Sequence, residues 1–115
     1  MTNNDCIFCK IASGEIPAQK ILETDDIVAF DDINPQAPVH FLVIPKKHIP
    51  TLDDVTAEDA PLVGQMLFHA ARIAREKGIA EQGYRQIINC REAGGQIVFH
   101  LHLHIMGGRP MSRMG

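Results

Sequence analysis

Three histidines stand at alternate positions in the stretch His100-Leu101-His102-Leu103-His104-Ile105. Side chains on a β-strand point alternately to its two faces. A strand here puts the three imidazoles on one face and Leu101, Leu103 and Ile105 on the other. Ile97 and Phe99 continue the apolar face upstream, which predicts one long strand rather than a loop with scattered histidines. An imidazole that is neutral near pH 7 is a competent nucleophile toward phosphorus, and a second imidazole beside it can carry a proton or hold a phosphate oxygen. Of the three, His102 alone has a same-face histidine on either side. His-x-His on one strand also suits zinc, so a zinc enzyme using two or three of these histidines is a competing reading. His69, within an expected helix, is read as structural.

Cys6-x-x-Cys9 is the second group with chemistry of its own. A thioredoxin-like redox pair needs a strand leading into it, and only five residues precede Cys6, so zinc is the stronger candidate. The competing reading is a pair of small buried or free thiols.

The elements that must position these residues follow from the patterning. Asp5 is expected to cap a short helix over 6–13 that Gly14 stops. The segments 20–23 and 27–30 read as a hairpin across Thr24-Asp25-Asp26. Two prolines in Asn34-Pro35-Gln36-Ala37-Pro38 make a loop of fixed shape, and His40-Phe41-Leu42-Val43-Ile44 then reads as a strand buried on both faces. Thr56-Ala57-Glu58-Asp59 starts the one long helix, with Pro61 in its first turn, Leu62, Met66, Ala70 and Ile73 on its apolar stripe and Gly78 at its end; Met66 and Leu67 are expected in the core. A strand over 84–89 and a polar loop over 90–95 return the chain to the histidines. The sum is an α+β fold, an antiparallel sheet of about five strands with one long and one short N-terminal helix.

At 115 residues and 45% hydrophobic content the chain suits one domain, 1–115. A net charge of −3 without a basic run speaks against a nucleic-acid polymer as partner. No apolar run reaches the ~20 residues of a membrane span. Residues 1–5 lack the pattern of a secretory leader, and an odd number of cysteines, three, does not suggest a disulfide framework. The expected location is the cytoplasm.

His-x-His-x-His with apolar spacers resembles the histidine triad (HIT) superfamily of nucleotide-binding hydrolases and transferases. Asp32-Ile33-Asn34-Pro35-Gln36-Ala37-Pro38, the run from His40 through Pro45-Lys46-Lys47-His48, Gly94-Gly95-Gln96 and Gly107-Gly108-Arg109-Pro110 narrow the resemblance to its Hint branch, the purine nucleoside phosphoramidases. These blocks span almost the whole chain. The resemblance implies a HIT-like fold and hydrolysis of purine nucleoside 5′-phosphoramidates, and of related conjugates such as aminoacyl-adenylates, through a nucleotidyl-histidine intermediate. His102 is then the nucleophile, His104 and Asn89 donors to the phosphate, and His40 the fourth histidine near it. The backbone at Gly95 and Gln96 is expected to approach the phosphate and Asp32 to take both ribose hydroxyls. Ile7, Phe8, Ile11, Phe30 and Ile33 match the family's purine pocket, with plain core packing as the alternative for Ile11 and Phe30.

Catalysis on this reading needs no cofactor. Some relatives hold a structural zinc, which here implies Cys6, Cys9, His48 and His100 as ligands. The resemblance further implies a homodimer joined through the long helix and the strand over 84–89 into a ten-stranded sheet. There are two departures from the family pattern. Ile97 stands where relatives often place a polar residue near the leaving group, and the sequence given reaches Gly115 without the aromatic tail some relatives fold over the partner's site. The alternative function is a non-catalytic purine-nucleotide-binding or scaffolding protein.

Overall fold

The computed structural model describes residues 5–113; the readings of residues 1–4 as lacking a leader and of the chain end at Gly115 lie outside the described residues. In chain order the elements are helix α1 (Ile7–Ser13), strands β1 (Lys20–Glu23), β2 (Ile27–Asp31) and β3 (Val39–Pro45), helix α2 (Ala60–Glu76), and strands β4 (Tyr84–Ile87) and β5 (Leu103–Gly107). The strands form one sheet in the order β1-β2-β3-β5-β4, and every neighbouring pair is antiparallel. This is the expected α+β architecture.

Strand β3 lies at the centre, and its period of two divides the molecule. Phe41 and Val43, together with Ile27 and Ala29 of β2 and Leu103 and Ile105 of β5, pack against Met66, Ala70, Ile73 and Ala74 of α2. Leu42 and Ile44, with Val28 and Phe30 of β2, pack against Phe8, Ile11 and Ala12 of α1. Both faces of β3 are therefore apolar and buried, as its uninterrupted hydrophobic run predicts. Because Leu42 is paired with His104, the α1 side of the sheet is also the side on which the histidines stand.

Several local expectations are corrected. Cys6, not Asp5, is the N-cap of α1, with its sulfur accepting from the Cys9 amide at 3.3 Å; Gly14 ends the helix in the left-handed region, where a glycine costs least. The expected start of α2 does hold: a 3-10 turn, Ala57–Asp59, leads into the helix, and the Asp59 side chain accepts the Thr56 amide at 3.1 Å in a capping box. Met66 is fully buried, but Leu67, the next position round the helix, is 42% exposed.

The largest correction concerns the histidine strand. β5 begins only at Leu103, and Ile97 and Phe99 are 89% and 40% exposed instead of continuing the apolar face. Carrying the β3–β5 register on from Val43↔Leu103 would set Leu101 opposite Pro45, which has no N–H to give the ladder. The Leu101 amide instead donates to the Ile49 carbonyl at 2.7 Å. His100 and His102 thus precede the strand, although Leu101 still points into the α2-side core. Among the described residues no helix is long and apolar enough to cross a membrane.

Candidate active site

A cavity of about 810 Å³ opens on the α1 side of the sheet. Helix α1 contributes Ile7, Phe8 and Ile11 to its wall, and β2 with the following loop contributes Phe30, Asp32 and Ile33. Asn89, Gly95, Ile97, His102 and His104 close the opposite side. One end is therefore apolar and the other carries the imidazoles. Phe8 joins the two, its ring edge-on to Phe30 at 5.7 Å and to His102 at 5.1 Å.

Two expected site residues do not turn their side chains to this cavity. His40 does not line this cavity; it stands behind His104 and faces a smaller one of about 250 Å³ bordered by Asp31, Pro35 and Lys77. Gln96 is buried with its side chain turned inward, its Oε1 accepting from the Arg91 amide and its Nε2 donating to the carbonyls of Pro50 and Val98. It braces the loop that presents Gly95, and the non-glycine Arg91 in that loop holds a positive φ of 63°. Leu42, which the sequence reading did not single out, also lines the cavity; the period-two pattern from His40 through β3 was the signal for it.

The hydrogen bonds assign the imidazole protons. His102 Nδ1 lies 2.7 Å from the His100 carbonyl oxygen, which can only accept, so Nδ1 carries the hydrogen and Nε2 of the neutral ring keeps its lone pair. His40 Nδ1 accepts the Gln36 amide at 2.9 Å, so its hydrogen is on Nε2. That nitrogen is 3.1 Å from His104 Nδ1 and 3.3 Å from Asp32 Oδ2. His104 Nδ1 is then an acceptor, and its hydrogen resides on Nε2. Burial pushes all three rings below the ordinary histidine value, His104 to about 4, where the neighbouring His102 and His40 add to the effect.

A second cluster is built on the first triad histidine, His100. Cys6 Sγ and His100 Nδ1 are 3.3 Å apart, Cys9 Sγ and His48 Nδ1 3.3 Å, Cys9 Sγ and His100 Nδ1 3.5 Å, and the two Nδ1 atoms 3.2 Å. Zinc bonded to sulfur at about 2.3 Å and to nitrogen at about 2.0–2.1 Å has tetrahedral edges of roughly 3.3–3.8 Å, so these four atoms fit it. The fully buried His100 directs Nε2 at the Pro45 carbonyl at 2.8 Å, which places its hydrogen there and leaves Nδ1 bare toward the sulfurs, the orientation a metal ligand needs. Asp32, His40 and His104 also converge, with donor atoms within 4.8 Å of one another. There the same test gives the opposite answer: His40 Nδ1 already accepts an amide, so its inward Nε2 is protonated and would have to become imidazolate to hold a metal.

A family model for the HIT domain matches residues 13–111. The chain belongs to the HIT domain family. It is 49% identical over 110 residues to the purine nucleoside phosphoramidase of Escherichia coli K12, covering 96% of this chain and 92% of that protein. Among solved structures it is similar to a HIT family hydrolase from Legionella pneumophila, with a TM-score of 0.92 and 51% identity over 94% of this chain and 96% of the other. A histidine triad protein from Clostridium difficile gives 0.96 and 46% identity, with both chains covered in full. In this HIT chain the matched segment carries His40, the triad, Asn89 and the loop to Gly95, whereas Cys6, Cys9 and the α1 wall of the cavity precede it.

The buried rings predict a pH dependence. His104 has a folded value of about 4 against an ordinary 6.5, so the unfolded chain binds the proton more readily between those values. Stability should therefore decline as pH falls from about 6.5 toward about 4, and this contribution should be level above that window. Denaturant titrations across the range, with NMR titration of the His104 ring, check it; a His104 midpoint at or above 6.5 contradicts the assignment.

Proposed function

We propose that this HIT protein hydrolyses purine nucleoside 5′-phosphoramidates to the nucleoside 5′-monophosphate and an amine. The observation that carries the proposal is the bare Nε2 of His102, released by the Nδ1–H···O=C bond to His100 and set at the junction of an apolar slot and a group of neutral imidazoles. The relative in E. coli that bears the name purine nucleoside phosphoramidase supports the substrate class.

In the first step His102 Nε2 attacks the α-phosphorus, the P–N bond breaks, and its electron pair leaves with the amine, which takes up a proton. Water then attacks phosphorus, the P–N bond to His102 breaks, and the neutral ring is restored. The purine lies in the slot of Ile7, Phe8, Ile11, Phe30 and Ile33. Asp32 accepts the ribose hydroxyls, an arrangement supported by its position between slot and triad, with Oδ1 held by the Asn34 amide at 2.8 Å. His104 Nε2–H and the Asn89 amide group donate to the phosphate oxygens, whose charge grows in the transition state, and the main chain at Gly95 and Gln96 passes close by, its own amides donating within the loop to the Glu92 and Arg91 carbonyls at 2.9 and 3.0 Å. No step needs a metal; among the described residues no convergent donor group contains two triad histidines.

Zinc held by Cys6, Cys9, His48 and His100 is a structural clip in this reading, tying α1 to the segment before β5. Such a closed set leaves no position for water. A homodimer is proposed as well, supported by β4 at one edge of the sheet and by Leu67 and Phe68 exposed on α2 at 42% and 57%.

Amine release from adenosine 5′-phosphoramidate tests the function. His102→Ala should lose more than the ~10²–10⁴-fold that general-base help alone supplies, while still binding nucleoside monophosphate. In the same assay Asp32→Asn should raise KM far more for the ribonucleotide than for its 2′,3′-dideoxy analogue. Binding without turnover by the wild type would instead favour a nucleotide-binding scaffold. Elemental analysis should find close to one zinc per chain, lost with a lower Tm in Cys9→Ala; zinc-free protein purified without chelator refutes the clip. Sedimentation at micromolar concentration should give twice the mass of one chain, and the mass of a single chain rules out the dimer.

A further inference from the structure

The bond that fixes the His40 tautomer continues outward to a residue with no place in the chemistry above. The Gln36 amide donates to His40 Nδ1 at 2.9 Å, and the Gln36 carbonyl accepts from Arg109 Nη2 at 2.7 Å. Arg109 Nη1 donates to the Pro110 carbonyl at 3.0 Å, so the guanidinium spans two main-chain oxygens. The strand end and the proline loop meet closely just before it. Gly108 has a φ of +94°, and a Cβ there would come within 2.9 Å of Pro38 Cβ. The approach that only glycine permits brings the next residue, Arg109, over Gln36.

We propose that Arg109 is a positioning residue for the triad, clamping the Gln36 main chain so that its amide holds His40 in the Nε2–H tautomer. This rests on the reading of His104 as a phosphate donor and deepens it. With the clamp in place, His40 Nε2–H points at His104 Nδ1, and His104 presents Nε2–H to the cavity. Without it the Gln36 amide is no longer aimed at Nδ1, and His40 is free to carry its hydrogen on Nδ1 instead. Two bare nitrogens would then face each other across the 3.1 Å between His40 and His104. Relief requires His104 to move its hydrogen to Nδ1, which leaves a lone pair on Nε2 toward the phosphate oxygens. A donor becomes a repulsive acceptor, so the effect falls on turnover more than on binding of base and ribose. A guanidinium suits the task because a charged donor makes the stronger bond to a carbonyl and its planar fork reaches two of them.

Nitrogen-15 NMR of the His40 ring in the free protein reads the tautomer without substrate, and steady-state kinetics with adenosine 5′-phosphoramidate reads its consequence. Wild type should show the Nε2–H form alone. Arg109→Ala should show a mixture of tautomers and a kcat lower by about 10- to 100-fold, with KM changed less than about threefold. Arg109→Lys, which restores a charged donor to the Gln36 carbonyl, should recover the single tautomer and most of kcat. If Arg109→Ala does not fold, Arg109→Gln takes its place, with a single weaker donor and an intermediate result expected. A His40 ring that keeps one tautomer in these variants overturns the proposal, whether kcat is unchanged or falls by another route. Wild-type protein that releases no amine defeats the proposed function while leaving the tautomer result to be read by itself.

Discussion

A main-chain carbonyl decides which nitrogen of His102 is available, and most of the site depends on that bond. The carbonyl belongs to His100, whose own ring is buried between the Pro45 carbonyl and two sulfurs. A triad histidine that does not line the cavity therefore orients one that does through the backbone, not through its side chain. Burial keeps the rings neutral, and among neutral imidazoles the position of each hydrogen is set by whichever carbonyl or amide lies nearest. The backbone around the triad thus works as a fixed set of dipoles, with Gln36 and His100 supplying opposite signs on opposite sides.

The sheet is what holds those dipoles still. β3 is buried on both faces and hydrogen-bonded on both edges, and it carries His40 at its start and Pro45 at its end. Pro45 has a double role. Its missing N–H ends the ladder early and frees the backbone of residues 100–102 to turn, while its carbonyl receives His100 Nε2–H. Had the ladder run on, the carbonyl of His100 would be aimed along the sheet rather than at the ring two residues later.

The sequence was most legible where a period is strict and burial decides. The both-faces-buried β3, the hairpin, the long helix and the five-stranded antiparallel sheet all follow from hydrophobic spacing, and the alternation of histidines agrees with His102 and His104 both lining the cavity. The failures are local and share a cause. Ile97 and Phe99 extend the alternation perfectly, yet the ladder stops at Pro45, opposite Leu101, before it reaches them, and a pattern along one chain does not contain the register of another. Leu67 fell off the buried stripe because the stripe on α2 is narrow. For Gln96 the sequence spoke only of the backbone; its three side-chain bonds, to the Arg91, Pro50 and Val98 main chain, have partners that only the folded loop assembles. Arg109 was legible only as a letter of the Gly107-Gly108-Arg109-Pro110 block, and its contact was not, since that is with a backbone oxygen 73 residues away.

Helix α1 is seven residues long and serves two surfaces at once: Cys6, as its cap, and Cys9 face the buried histidines, while Ile7, Phe8 and Ile11 face the cavity. All of it but Ser13 lies before the segment matched by the HIT family model. One short helix is thus a wall of the cavity on one side and half of the cysteine–histidine cluster on the other, held to the sheet by Phe8, Ile11 and Ala12 as well as by its two sulfurs. A change at Ile7 therefore reshapes the cavity wall alone, whereas a change at Phe8 or Cys9 is felt at once by a triad histidine, because the same seven residues serve both surfaces.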